Sequence, residues 1–100
     1  MDRKMIVEKM REVIDPEIGM DIVTLGLIYG FKIENDRVFI DMTLTFPGCP
    51  LASMMINELK QKIEEVAGEG NVNINLVFEP KWNQTMISEE NHLSLIEDEK

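Results

Sequence analysis

One hundred residues are enough for one domain and leave no room for a second, and 44% hydrophobic with 29% charged residues, 6 Gly and 4 Pro excludes collagen-like, low-complexity and disordered chains. A formal charge of −9 without any Lys/Arg-rich stretch argues against nucleic acid or anionic membrane as a partner, because both are held first by neutralising phosphate. The single cysteine excludes an intrachain disulfide, a CxxC pair and an intrachain four-cysteine metal site.

No apolar run approaches the ~20 residues of a membrane helix, and Met1-Asp2-Arg3-Lys4 leads into mixed polarity rather than a leader's apolar block, so a cytoplasmic location is expected. From Asp2, a candidate N-cap, Ile6, Val7, Met10, Val13 and Ile14 mark one helical face that Pro16 ends. Asp15-Pro16-Glu17-Ile18-Gly19-Met20-Asp21 is a connector with three carboxylates in seven residues. Ile28 to Glu34 alternates as a half-buried strand, Asn35-Asp36 reads as a tight turn, and Arg37 to Thr45 alternates again, with Val38, Ile40, Met42 and Leu44 facing inward and Phe39, Asp41, Thr43 and Thr45 outward. Pro47-Gly48-Cys49-Pro50 breaks that strand.

Ala52, Met55, Ile56, Leu59, Ile63 and Val66 then give a helix of about four turns, stopped by Gly68 and Gly70. Asn71 to Phe78 alternates as a third strand, joined to the second by a helical crossover, and Ser88-Glu89-Glu90 opens a short helix through Ile96. The α-β-β-α-β order with a short C-terminal helix predicts an α/β (α+β) two-layer sandwich in which helices cover one face of a small mixed sheet. Residues 1–100 are expected to form a single domain, with a core at about 5–88 and an acidic tail at 89–100.

Cys49 falls between a strand end and a helix start, with Pro50 suited to the first helical position. The unsatisfied amides of a helix N-terminus stabilise a thiolate, whereas apolar burial would raise the thiol's pKa from its usual ~8.5. Asp15, Glu17 and Asp21, with the hydroxyls of Thr43 and Thr45, form a polar pocket around Cys49 if the connector returns to the end of the second strand. Taken singly, each carboxylate also has an ordinary use as a cap or turn acceptor, and each threonine as a strand former. A Cys/His nucleophile pair would need His92, which reads as a surface side chain, so hydrolytic thiol chemistry is not expected. Met5, Met10, Met42 and Met55 lie on core faces, and Trp82 after Pro80-Lys81 reads as an anchor for the following segment.

Val13-Ile14-Asp15-Pro16-Glu17-Ile18-Gly19, Asp21 to Ile28, Thr43-Leu44-Thr45-Phe46-Pro47-Gly48-Cys49-Pro50 and Pro80-Lys81-Trp82 resemble, in order and spacing, the MIP18 family, also called domain of unknown function 59, the group of PaaD-like and SufT-like iron–sulfur cluster assembly proteins. The similarity runs from about Met5 to Ser88. It implies the iron–sulfur assembly domain fold, a role in maturing iron–sulfur proteins, Cys49 as the functional thiol and a transient or shared metal ligand, and Glu17, Asp21, Thr43 and Thr45 as the polar positions clustered near it. The segment Trp82-Asn83-Gln84-Thr85-Met86-Ile87-Ser88 departs from the family by lacking a proline after the tryptophan.

On this reading the protein is not an enzyme. It handles a transient iron or iron–sulfur cluster that its folding does not require, and its partners are assembly proteins and client apoproteins. A four-ligand cluster on one cysteine needs a homodimer, exogenous thiols or non-cysteine ligands. An adaptor without metal binding and a thiol or persulfide carrier at Cys49 are the alternatives.

Overall fold

Asp2 starts α1 (Arg3–Met10) by accepting a hydrogen bond from the Met5 amide at 2.8 Å. The computed structural model describes residues 2–45 and 51–97. The helix stops at Met10, four residues before the end that its periodicity suggests, because the Glu12 and Val13 amides turn to Lys9 O and Met10 O at 3.1 Å. Val13 stays in the core, but Ile14 is 46% exposed and forms an isolated antiparallel bridge with Asp21. That bridge closes the acidic connector into a loop.

One helical turn, α2 (Ile22–Leu25), follows, with Asp21 as N-cap and Gly26 at φ 85° ending it in the left-handed region. β1 (Ile28–Glu34) and β2 (Arg37–Met42) pair antiparallel around Asn35-Asp36, whose φ values of 54° and 65° give the mirror-image turn that suits the twist of a hairpin. α3 (Ala52–Ala67) crosses over, and β3 (Val72–Leu76) returns parallel to β2 in the register Val38↔Val72 to Met42↔Leu76. The sheet order is β1-β2-β3. A 3-10 turn at Gln84–Met86 leads into α4 (Asn91–Glu97).

The expected mixed two-layer arrangement is therefore present, with α2 as an additional element. Val38, Ile40 and Met42 of the central strand meet Ile6, Val7 and Met10 of α1, Ile22, Val23 and Leu25 of α2 and Met55, Leu59 and Ile63 of α3, all buried. Lys32, Asp41, Asn73 and Asn75 are exposed on the strands, at the positions alternating with the core. Met10, Met42 and Met55 occupy the core, but Met5 is 44% exposed and lines a surface groove with Glu8, Lys9, Glu12 and Val66. Its place beside Ile6 puts it on the flank of the apolar stripe. Among the described residues no helix is long and apolar enough to cross a membrane.

Candidate functional site

The β2 ladder ends at Met42, three residues before the strand end expected from alternation. Thr43 then donates its amide to Leu27 O at 2.8 Å, so the chain leaves the sheet against the turn that follows α2. This departure buries Thr43, at 1% exposure, beside the buried Leu44, and leaves Thr45 half-buried. Thr43, Leu44 and Thr45 line a cavity of about 300 Å³ whose other walls are Phe78, Glu79, Lys81 and Trp82. Cys49 lies outside the described residues. α3 enters at Leu51, which supplies no side-chain cap to the helix.

Asp15 is buried, and its Oδ1 accepts from the amides of Glu17 at 2.8 Å and Ile18 at 3.3 Å, while its carbonyl accepts from Gly19 at 2.7 Å. It thus holds the connector in its loop. Asp21 Oδ2 accepts from Val23 N at 3.1 Å and Thr24 N at 2.9 Å, so this carboxylate caps α2. Glu17 is exposed in the connector. The structure places two of the connector's three carboxylates in turn and cap hydrogen bonds, and brings Thr43 and Thr45 together in one cavity.

The segment after β3 builds the rest of this end. Trp82 donates Nε1–H to Leu25 O at 2.7 Å, which makes it the anchor that the sequence suggests. The Ser88 amide donates to Thr24 O at 2.9 Å, and Asn91 Nδ2 reaches Val23 O, Thr24 O and Met86 O at 3.1, 3.0 and 3.0 Å. A one-turn helix cannot satisfy its own last carbonyls, and residues 82–91 supply the donors. A Cβ at Gly26 would lie 2.6 Å from Met86 O, so only glycine permits this approach. Asn91 carries no signal in the sequence, because its role depends on carbonyls more than sixty residues away.

A shallower depression of about 740 Å³ lies over Gly26, Ile28, Tyr29 and the 85–95 stretch. Tyr29 Oη is engaged there with Pro80 O at 2.6 Å. His92 is half-buried, its Nδ1 at 2.9 Å from Glu89 O. Among the described residues no group of three His, Cys, Asp or Glu side chains is arranged to hold a metal ion.

Residues 3–76 match the model of the iron-sulfur cluster assembly protein family. The chain belongs to that family. It is 46% identical over 91 residues to the Fe-S protein maturation auxiliary factor of Porphyromonas gingivalis, covering 90% of this chain and 87% of that protein. Against the Fe-S protein maturation auxiliary factor SufT of Staphylococcus aureus the identity is 40% over 77 residues, 76% of this chain and 88% of the relative. The crystal structure of a domain of unknown function, DUF59, from Bacillus anthracis superposes with a TM-score of 0.80 at 31% identity, over 92% of this chain and 89% of that one. The assembly family's match stops at the end of β3, so the 82–91 segment that completes the cavity lies beyond it.

Proposed function

We propose that this chain is a non-enzymatic auxiliary factor in the maturation of iron–sulfur proteins, working through the Cys49 thiol and through contacts with assembly proteins and client apoproteins. The observation that carries the reading is the family match over residues 3–76, which encloses the Thr43–Thr45 strand end, Cys49 and the start of α3. Two relatives named as maturation auxiliary factors are covered over nearly nine-tenths of their length, so the likeness is one of whole proteins.

Iron or a cluster is the cargo. Cys49 is the one thiol in the chain, and a [2Fe–2S] or [4Fe–4S] cluster takes four ligands, so the remaining ligands come from a client, a second subunit or free thiols. Ligation is therefore transient or shared. An apolar core drawn from α1, α2, α3 and the sheet supports a fold that does not rely on the cargo. A surface carrying a formal charge of −9 steers towards basic protein partners and away from nucleic acid, and the cytoplasm is where the protein works.

The test is the activity of a [4Fe–4S] hydro-lyase in cells lacking the protein, complemented with wild type or Cys49→Ser. Anaerobic reconstitution of both purified proteins with ferrous iron and sulfide accompanies it. The variant should fail to restore the client and should lose the visible thiolate-to-iron charge-transfer absorbance. Full client activity with Cys49→Ser would make the thiol incidental and leave an adaptor in its place.

A further inference from the structure

Tyr29 is an extra residue in β1. The pairing with β2 passes from Ile28↔Met42 directly to Gly30↔Asp41, and such a bulge takes its unpaired residue out of the regular alternation of the ladder. The Tyr29 side chain reaches the segment that follows β3, where its hydroxyl donates to Pro80 O at 2.6 Å and has Met86 Sδ as a second acceptor at 3.7 Å. A phenol has one proton to give, and a thioether is a weak acceptor. Pro80 therefore holds that proton while Met86 is a thioether.

One wall of the cavity hangs on this bond. Pro80 stands between Glu79 and Lys81, which line the cavity with Phe78 and Trp82. Among the described residues, the bond from Tyr29 is the only hydrogen bond made by residues 78–81, and the wall is otherwise tied at its ends, through Val77 N to Met42 O and Trp82 Nε1 to Leu25 O. Met86 is placed to disturb it. Met10, Met42 and Met55 are buried in the core, whereas Met5, Met20 and Met54 are exposed with no hydrogen bond to sulfur among the described residues. Met86 combines a hydroxyl at its sulfur with access from outside, since it lines the open depression of about 740 Å³.

We propose that Met86 is an oxidation site whose modification by peroxide releases this wall. The thioether attacks hydrogen peroxide, the O–O bond breaks, an S–O bond forms and water leaves, so the sulfur loses two electrons and the peroxide gains them. The sulfoxide oxygen is a far better acceptor than the sulfur it replaces, and in the epimer that faces Tyr29 it lies within hydrogen-bond range of Oη. It draws the phenolic proton away from Pro80 O, and the wall loses the tie at its middle. Reduction by a methionine sulfoxide reductase restores the thioether and with it the bond. The inference goes beyond the proposed function and holds whether or not Cys49 ligates iron.

A Cys49→Ser background keeps thiol oxidation out of the readout. After hydrogen peroxide, peptide mass mapping should find one oxygen added at Met86, and the Pro80 carbonyl carbon should move upfield in NMR as it loses its donor. Acrylamide quenching of Trp82, the one tryptophan, should rise about twofold as a half-buried ring opens to solvent. Tyr29→Phe should show both changes before any peroxide and no further change after it. Met86→Gln, which carries an amide oxygen near the place of the sulfoxide's, should also show them without peroxide. Met86→Leu should abolish the response and Met54→Leu should keep it, with far-UV circular dichroism checking that each variant folds. Met86 left unoxidised when Met5, Met20 and Met54 are fully oxidised, an unmoved Pro80 signal in protein oxidised at Met86, or an equal response in folded Met86→Leu would overturn the proposal.

Discussion

Replacing Trp82 with phenylalanine keeps an aromatic ring but removes the Nε1–H that reaches Leu25 O at 2.7 Å. The bond itself contributes about 1 kcal/mol net, and a carbonyl left without a partner beside buried Leu25 adds about 1 kcal/mol or more of desolvation cost. The smaller ring forfeits roughly another 0.5 kcal/mol from a half-buried site. Together these give a loss of about 2–3 kcal/mol, which in a domain of this size lowers the melting temperature by about 8–24 °C. The tryptophan fluorescence disappears with the substitution, so unfolding is followed by far-UV circular dichroism in heat and in urea. Asn91→Ala, which frees Val23 O and Thr24 O, should combine with Trp82→Phe less than additively, since both release the same helical turn. A loss below about 0.5 kcal/mol, or strict additivity of the pair, would refute the idea that residues 82–91 hold α2 in place.

Gly26→Ala should cost about 2 kcal/mol or more, because strain at φ 85° is joined by a Cβ placed 2.6 Å from Met86 O, whereas Gly19→Ala, at the same φ with open space around it, should cost only about 1 kcal/mol in denaturant melts. Equal costs would show that the 84–88 segment shifts freely. Arg3→Lys keeps the charge but loses the fork from Nε and Nη2 to Leu95 O at 3.0 and 2.8 Å and much of the stacking over Phe31 at 4.0 Å. It should lower stability by about 1–2 kcal/mol and speed amide exchange in α4 before that in α3. Lys9 Nζ lies 2.7 Å from Glu65 Oε1, and this hydrogen bond, then the charge behind it, holds the Glu65 carboxyl below its ordinary 4.5 and lifts Lys9 above 10.5. A lowered carboxylate stabilises the fold above its unfolded pKa and loses that contribution as pH falls through the folded value; a raised amine loses its contribution as pH rises through its own. The pair therefore acts between about pH 4.5 and 10.5, and an NMR titration should show Glu65 moving back up in Lys9→Met.

Features that depend on near neighbours were readable from the residues. Asp2 caps α1, Asn35-Asp36 makes the hairpin turn, and Ala52 to Val66 carries its apolar stripe onto the sheet, because each signal and its structural partner lie within a few positions. Periodicity misled where it outran the element that produced it: Ile14 continues the α1 pattern after the helix has ended, and Thr43 continues the outward face of β2 after the ladder has stopped. α2 is not legible in the sequence although Asp21 and Gly26 bracket it, since a single turn has almost no pattern and its carbonyls are satisfied by residues 82–91. The same distance hid the cavity. Thr43 and Thr45 were identifiable as polar positions near the cysteine, but Phe78, Glu79 and Lys81 opposite them are placed by the chain's return after β3.

That return bears on how the protein is made. A ribosome delivers α2 early, yet Trp82, Ser88 and Asn91, which close its carbonyls, emerge more than fifty residues later. Until they arrive, the helical turn must rely on water, and the cavity lacks its Trp82 wall. A nascent chain halted before residue 82 would hold the Thr43–Thr45 side of the cavity with its opposite wall unfinished, so this end of the domain takes its final shape only after β3 has been made.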